Sequence, residues 1–264
     1  MSSKVLRMAV ACAVSLTMST AVIPAVYNLA GSPASVVRAD STAPTEGEWV
    51  VEGYEDESFH FGTFTLTGDL TIKLQGHTVE FDTLNTNGHK LTITSDSTEG
   101  SLGGDNSYGF FGADNLNVSG SRSDFIYDLN KYVDPDEISA HIERLNISDG
   151  AYACFHKDSH VTIDNIYIQG EHSRLDNAKA IIEMGANPVI GLNGDGASYT
   201  GTATIRSADT ITINLSNYSR FDLAGSVSKA NVIASDISTF HVNTNNGGSL
   251  AAGSTVTLND KQFI

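Results

Sequence analysis

Cysteine is nearly absent from this chain. Two occur, Cys12 and Cys154, so no disulfide framework can staple the fold. The structure has to rest on a hydrophobic core of its own. Basic residues are scarce as well: 15 Lys and Arg face 31 Asp and Glu, for a net charge of −16. A surface that negative repels nucleic acid and anionic membranes and attracts divalent cations, calcium among them. No long apolar run follows residue 39, and neither an LPxTG-like sorting motif nor a hydrophobic tail precedes Ile264. Among the acidic residues there is no Asp-Asp pair, and no Gly-His-Gly-like segment occurs.

Residues 1–39 differ from the rest. Lys4 and Arg7 precede an uncharged stretch, Met8 to Val26, and Val37 and Ala39 suit the −3 and −1 positions of a signal peptidase site. This pattern predicts a secretory signal peptide over 1–39, with cleavage near Ala25 as the alternative. A membrane anchor fits less well, because Ser15, Thr17, Ser19, Thr20 and Pro24 interrupt the apolar run. Removing Lys4, Arg7 and Arg38 with the leader leaves 12 basic residues against 31 acidic ones, a net charge of −19. The released chain keeps Cys154 alone, expected as a buried thiol in a strand.

What the remainder holds is a recurring strand. Leu70-Thr-Ile72-Lys-Leu74, Leu91-Thr-Ile93-Thr94, Leu116-Asn-Val118-Ser119, Leu145-Asn-Ile147-Ser148, Val161-Thr-Ile163-Asp164, Thr210-Ile211-Thr-Ile213-Asn214 and Val256-Thr-Leu258-Asn259 alternate apolar and polar residues. Alternation places the apolar set on one face of a strand. Recurrence at 21 residues from Leu70 to Leu91, 25 to Leu116 and 29 to Leu145 predicts stacked turns with one continuous core. The fold expected is all-β: a right-handed parallel β-helix of roughly eight rungs over 59–264. Residues 40–58 form an N-terminal cap, with Trp49 over the first core layer. Asp134-Pro-Asp136-Glu137 predicts a short helix in an inserted loop. Arg174 to Met184 carries a second, weaker helical period. Asn85, Asn87, Asn117, Asn146, Asn165, Asn214, Asn217, Asn243 and Asn245 stand at strand ends, where Asn favours turns and can hydrogen-bond to the rung above. Phe263 and Ile264 are expected to fold over the last rung, the alternative being end-to-end self-association.

Gly68-Asp-Leu-Thr-Ile-Lys-Leu-Gln-Gly-His77 and Thr86-Asn-Gly-His89-Lys-Leu-Thr-Ile-Thr-Ser95 resemble the N-G-H-x-L-T-I units of secreted bacterial surface proteins of the pectate-lyase-like right-handed β-helix type. Gln75 stands where those units have Asn. The resemblance covers roughly residues 65 to 260 and implies the parallel β-helix, with adhesive or carbohydrate-binding roles.

Enzymes on such scaffolds need clustered carboxylates with a basic residue for a uronate. Here the Asp residues are spread about one per turn and Arg is scarce, so no catalytic residue is nominated. The densest constellation is Tyr152-Ala-Cys154-Phe-His156-Lys-Asp158-Ser-His160. Tyr152, Cys154 and His156 share one face of an extended segment. A Cys/His/His set has the residue types that zinc takes, but tighter paired spacing is usual and no metal site is assigned. The candidate ligand-binding residues are Tyr152, His156, Asp158, His160 and Tyr167, with the two rings suited to stacking on a sugar. Thr-x-Thr pairs such as Thr92/Thr94 and Thr255/Thr257 lack a constant period and need not share a face, which argues against an ice-binding array. The function expected is a secreted, non-catalytic module that binds extracellular glycan or a host or matrix surface. The alternative is a lyase or hydrolase of acidic polysaccharide. Carboxylates and an Arg or Lys converging on one parallel sheet face would separate the two.

Overall fold

A computed structural model describes residues 43–52, 58–94, 109–128, 138–156, 159–177 and 179–259. The chain divides into two compact units, 1–35 and 36–264. The first lies outside the described residues, as does the segment Asp134–Glu137 expected to carry a helix.

The second unit is a parallel β-solenoid. Nine strands pair in sequence order into one sheet, beginning with Gly47–Val50, Leu70–Lys73 and Leu91–Thr94 and ending with Arg220–Leu223 and Thr239–Val242. Nine strands in one sheet correspond to about eight full turns. Thirteen strands form the other sheet. Every pairing is parallel, as in Leu70↔Leu91 and Ile72↔Ile93. The only helical element among the described residues is a single 3-10 turn, Thr244–Asn246.

The second sheet turns a corner. Strands Ser58–Thr65, Thr78–Asn85, Phe110–Ser119, Ala140–Ser148 and His160–Gln169 each skip one pairing, at Gly62, Asp82, Asp114, Glu143 and Asp164. The inward set shifts phase there: in Thr78–Asn85, Val79 and Phe81 are buried before Asp82, and Leu84 after it. In the later turns this corner separates two strands. Ile181–Glu183 and Val189–Asn193 both pair with His160–Gln169, on either side of Asp164. Each turn therefore has a first face, a second face and a third face after the corner. The alternation of Phe59 and Phe61 with Phe64 and Leu66 marks this corner in the sequence.

The core is continuous because the parallel register places like residues above one another. Leu84, Leu116, Leu145 and Ile166 form one fully buried column. Ring contacts run alongside: Phe81 and Phe111 at 6.1 Å, Phe125 and Phe155 at 5.7 Å, Tyr199 and Phe221 stacked at 4.3 Å. At the N-terminal end Trp49 lies in Gly47–Val50, itself paired with Leu70–Lys73, and meets Phe59 and Phe61 edge-on at 6.5 and 5.5 Å. Phe263 and Ile264 lie outside the described residues.

Three expectations are corrected. Arg174 to Met184 is not helical; it holds the strands Arg174–Asn177 and Ile181–Glu183. Leu175 and Ile182 are both buried on alternating strands, and the turn between them imitated a helical spacing. Cys154 is not a core thiol. It alternates with buried Ala153 and Phe155 and opposes outward Ile126 and Asp176, so it faces out, partly exposed. The spacing from Leu91 to Leu116 is not one turn, since Leu91 belongs to the first face and pairs with Phe125, whereas Leu116 belongs to the third and pairs with Leu145.

Candidate functional site

The most chemically varied surface is the outward side of the first face in the middle turns. Tyr152 and Cys154 point out because Ala153 and Phe155 fill the core. Parallel register carries that orientation to the next turns. Tyr152, Arg174, Ser198 and Arg220 make one row, and Cys154, Asp176, Thr200, Asp222 and His241 make the next. The repeated pattern Arg-apolar-Asp at Arg174–Asp176 and Arg220–Asp222 puts two Arg and two Asp on this side, two turns apart.

These groups interact closely. The Arg174 guanidinium lies over the Tyr152 ring, 4.7 Å from its centroid, and its Nε is 3.4 Å from Asp176 Oδ2. Arg220 pairs with Asp222 in the same way, and His241 Nδ1 is 3.1 Å from Asp222 Oδ1. His156 follows the strand Tyr152–Phe155 and places its Nδ1 3.6 Å from Asp128 Oδ1 in the preceding turn. Burial raises the Asp176 carboxyl above its ordinary value, with Arg174 and a hydrogen bond from Tyr152 pulling the other way. Burial, then Cys154 and Asp176, raise the Tyr152 hydroxyl, which therefore stays a donor at neutral pH.

The five nominated residues do not form one patch. Tyr152 and His156 share the first face. Asp158 lies outside the described residues. His160 opens a second-face strand, is largely covered, and has its Nε2 3.5 Å from Glu183 Oε1. Tyr167 is on the third face, with the Arg144 guanidinium 5.7 Å from its ring centroid. Two corners of the solenoid separate Tyr152 from Tyr167, and the first of them parts Cys154 from His160. Among the described residues no group of three or more His, Cys, Asp or Glu is placed to hold a metal ion. Arg174, Asp176, Arg220, Asp222 and His241 were not nominated. Their signal was the repeated Arg-x-Asp, legible only once the turn length is known. The Thr pairs are divided as expected, with Thr92 and Thr94 on the first face and Thr255 and Thr257 on the third.

No family model, curated protein or solved structure matches the chain.

Proposed function

We propose that the chain is a secreted, bacterial cell-surface binding module that takes extracellular glycan across the first face of its solenoid. One observation carries this reading: Tyr152, Arg174, Asp176, Arg220 and Asp222 point outward from adjoining rows of one parallel sheet. A ring offers an apolar surface to a sugar, and the charged groups beside it supply donors and acceptors at one-turn spacing. Arg174 and Arg220 are the residue type that recognises a carboxylate by paired hydrogen bonds, which favours an acidic sugar. Secretion rests on the leader pattern of residues 1–39. The acidic surface makes nucleic acid an unsuitable partner.

A second reading, cleavage of acidic polysaccharide, draws on the same face. Asp176 and Asp222 are two turns apart, which sets their backbones about 10 Å apart. That is close to the carboxyl separation of roughly 6.5–9.5 Å used by inverting glycosidases. The raised Asp176 carboxyl suits a proton donor.

A glycan array, run beside a turnover assay on polygalacturonate with calcium, tests both. Binding without cleavage, lost in Tyr152→Ala and Arg174→Ala, is the expected result. Product formation abolished by Asp176→Asn would replace the first reading with the second.

A further inference from the structure

The third face differs from the first in charge. Among its outward positions are two columns nine residues tall, from Thr63 to Thr255 and from Thr65 to Thr257. Arg144 is the one charged residue in them. On a chain with 46 charged side chains (15 basic and 31 acidic), such a stretch marks a separate kind of surface.

Part of it is pre-ordered. Asn85 Nδ2 donates to Thr65 Oγ1 at 3.2 Å, Asn117 Nδ2 to Asn85 Oδ1 at 2.8 Å, and Asn146 Nδ2 to Asn117 Oδ1 at 2.8 Å. Tyr167 is the next residue of the column. Each bond consumes one of the donor's two amide hydrogens and one lone pair of the acceptor, the Thr65 hydroxyl in the first and an amide carbonyl in the other two. Asn85 and Asn117, both half-buried, thus each retain one N–H and one lone pair. This donor–acceptor pair stands on these two successive turns, about 4.8 Å apart. A ligand that satisfies it on both turns must carry groups that both donate and accept. Hydroxyls do both, whereas carboxylates only accept and ammonium groups only donate. With a single cation in the two columns, an anionic polymer has little to attract it.

We propose that the third face binds an uncharged, hydroxyl-rich polymer, a neutral polysaccharide, laid along the Asn ladder with one unit against the Tyr167 ring. The ladder already holds the amides in place, so binding costs little rotamer entropy. This site lies on a different face from the one proposed above and stands without it.

The test is electrophoresis of the full chain through gels containing a neutral glucan, mannan or xylan, at low and high salt, with polygalacturonate as the charged comparison. At least one neutral polymer should retard the protein equally at both salt concentrations. Asn117→Asp keeps the side-chain size but removes the donor and adds a charge; it should weaken retardation about tenfold, or about 1.4 kcal/mol. Tyr167→Ala, which leaves the ladder bonds intact, should show a loss in the same direction and serves if Asn117→Asp fails to fold. Arg174→Ala, on the first face, should leave neutral-polymer retardation unchanged. Absence of retardation by all three polymers, retardation abolished by salt, or an equal loss in Arg174→Ala would overturn the proposal.

Discussion

Tyr127 and Tyr199 are both sealed in the core at 0% exposure, yet their hydroxyls are in opposite situations. Tyr127 Oη donates to the Ser139 carbonyl at 2.8 Å. Tyr199 Oη has no partner at hydrogen-bond geometry, and neither polar atom of the Asn177 amide beside it has one. Burial raises the pKa of both phenols far above the ordinary value, so each hydroxyl keeps its proton. Substitution by Phe removes the hydroxyl and preserves the ring. At Tyr127 this deletes one hydrogen bond, and the Ser139 carbonyl retains the Phe111 N–H at 3.2 Å. No acceptor is orphaned, so the cost should be about 1 kcal/mol. At Tyr199 the change removes a polar group whose desolvation, a penalty of about 1–3 kcal/mol, is offset only in part, by the Asn177 amide beside it. Stability should therefore hold or rise by about 1 kcal/mol, and the two variants should differ by about 1–2 kcal/mol. For a chain of this length each kcal/mol moves the melting point by about 2–4 °C. Urea unfolding followed by far-UV circular dichroism, with unchanged m values, gives the same difference directly. Equal losses in the two variants, or a larger loss at Tyr199, would refute the reasoning.

Other substitutions probe the turns and the first face. Asp176 has its carboxyl raised by burial, so in the folded state its proton is held more tightly than in the unfolded chain, where the value is about 3.9. Its contribution is whole below about pH 4 and is lost as pH rises through the folded value. Asp176→Asn should accordingly melt above the parent at pH 7 and with it below about pH 4; an identical offset at both pH values would count against this. Ile237 sits at φ 59° with 62% of its surface exposed. A left-handed β-branched residue costs about 1–2 kcal/mol, against about 0.5–1 for the added freedom of Gly when unfolded. Ile237→Gly should raise the melting point slightly, and a fall would show that the side chain packs more than its exposure indicates. Gly225 has no room for a methyl group, since a Cβ there would lie 1.9 Å from the Ala203 carbonyl oxygen. Gly225→Ala should cost roughly 2 kcal/mol or more, read as a lower urea midpoint, and an unchanged midpoint would mean that the two turns can separate.

The strand units and their inward residues were legible along the chain because alternation is local. Val79 and Phe81, Leu91 and Ile93, or Leu145 and Ile147 each declare a buried side through their immediate neighbours. Asn85, Asn117 and Asn146 were among nine Asn read at strand ends, but only the register of the strands shows that these three stack. Which strand lies above which is a separate matter, because turn lengths vary: Leu70 pairs with Leu91 after 21 residues, Leu91 with Phe125 after 34. Spacing alone joined Leu91 to Leu116 across two faces. The nominated patch divided on the same point, since Tyr152 and Tyr167 are near in sequence but separated by corners, whereas Arg174 and Arg220 are distant and share a face.

By itself, then, the sequence determined the all-β class, the stacked core and the acidic character, properties set by residue type and the two-residue period of a strand. Only the tertiary structure decided what shares a surface. Parallel hydrogen bonding brings residues one turn apart to about 4.8 Å, while each corner turns neighbouring residues away from one another. That geometry gathered Tyr152, Arg174, Asp176, Arg220 and Asp222 on one face and an uncharged ladder of asparagines on another.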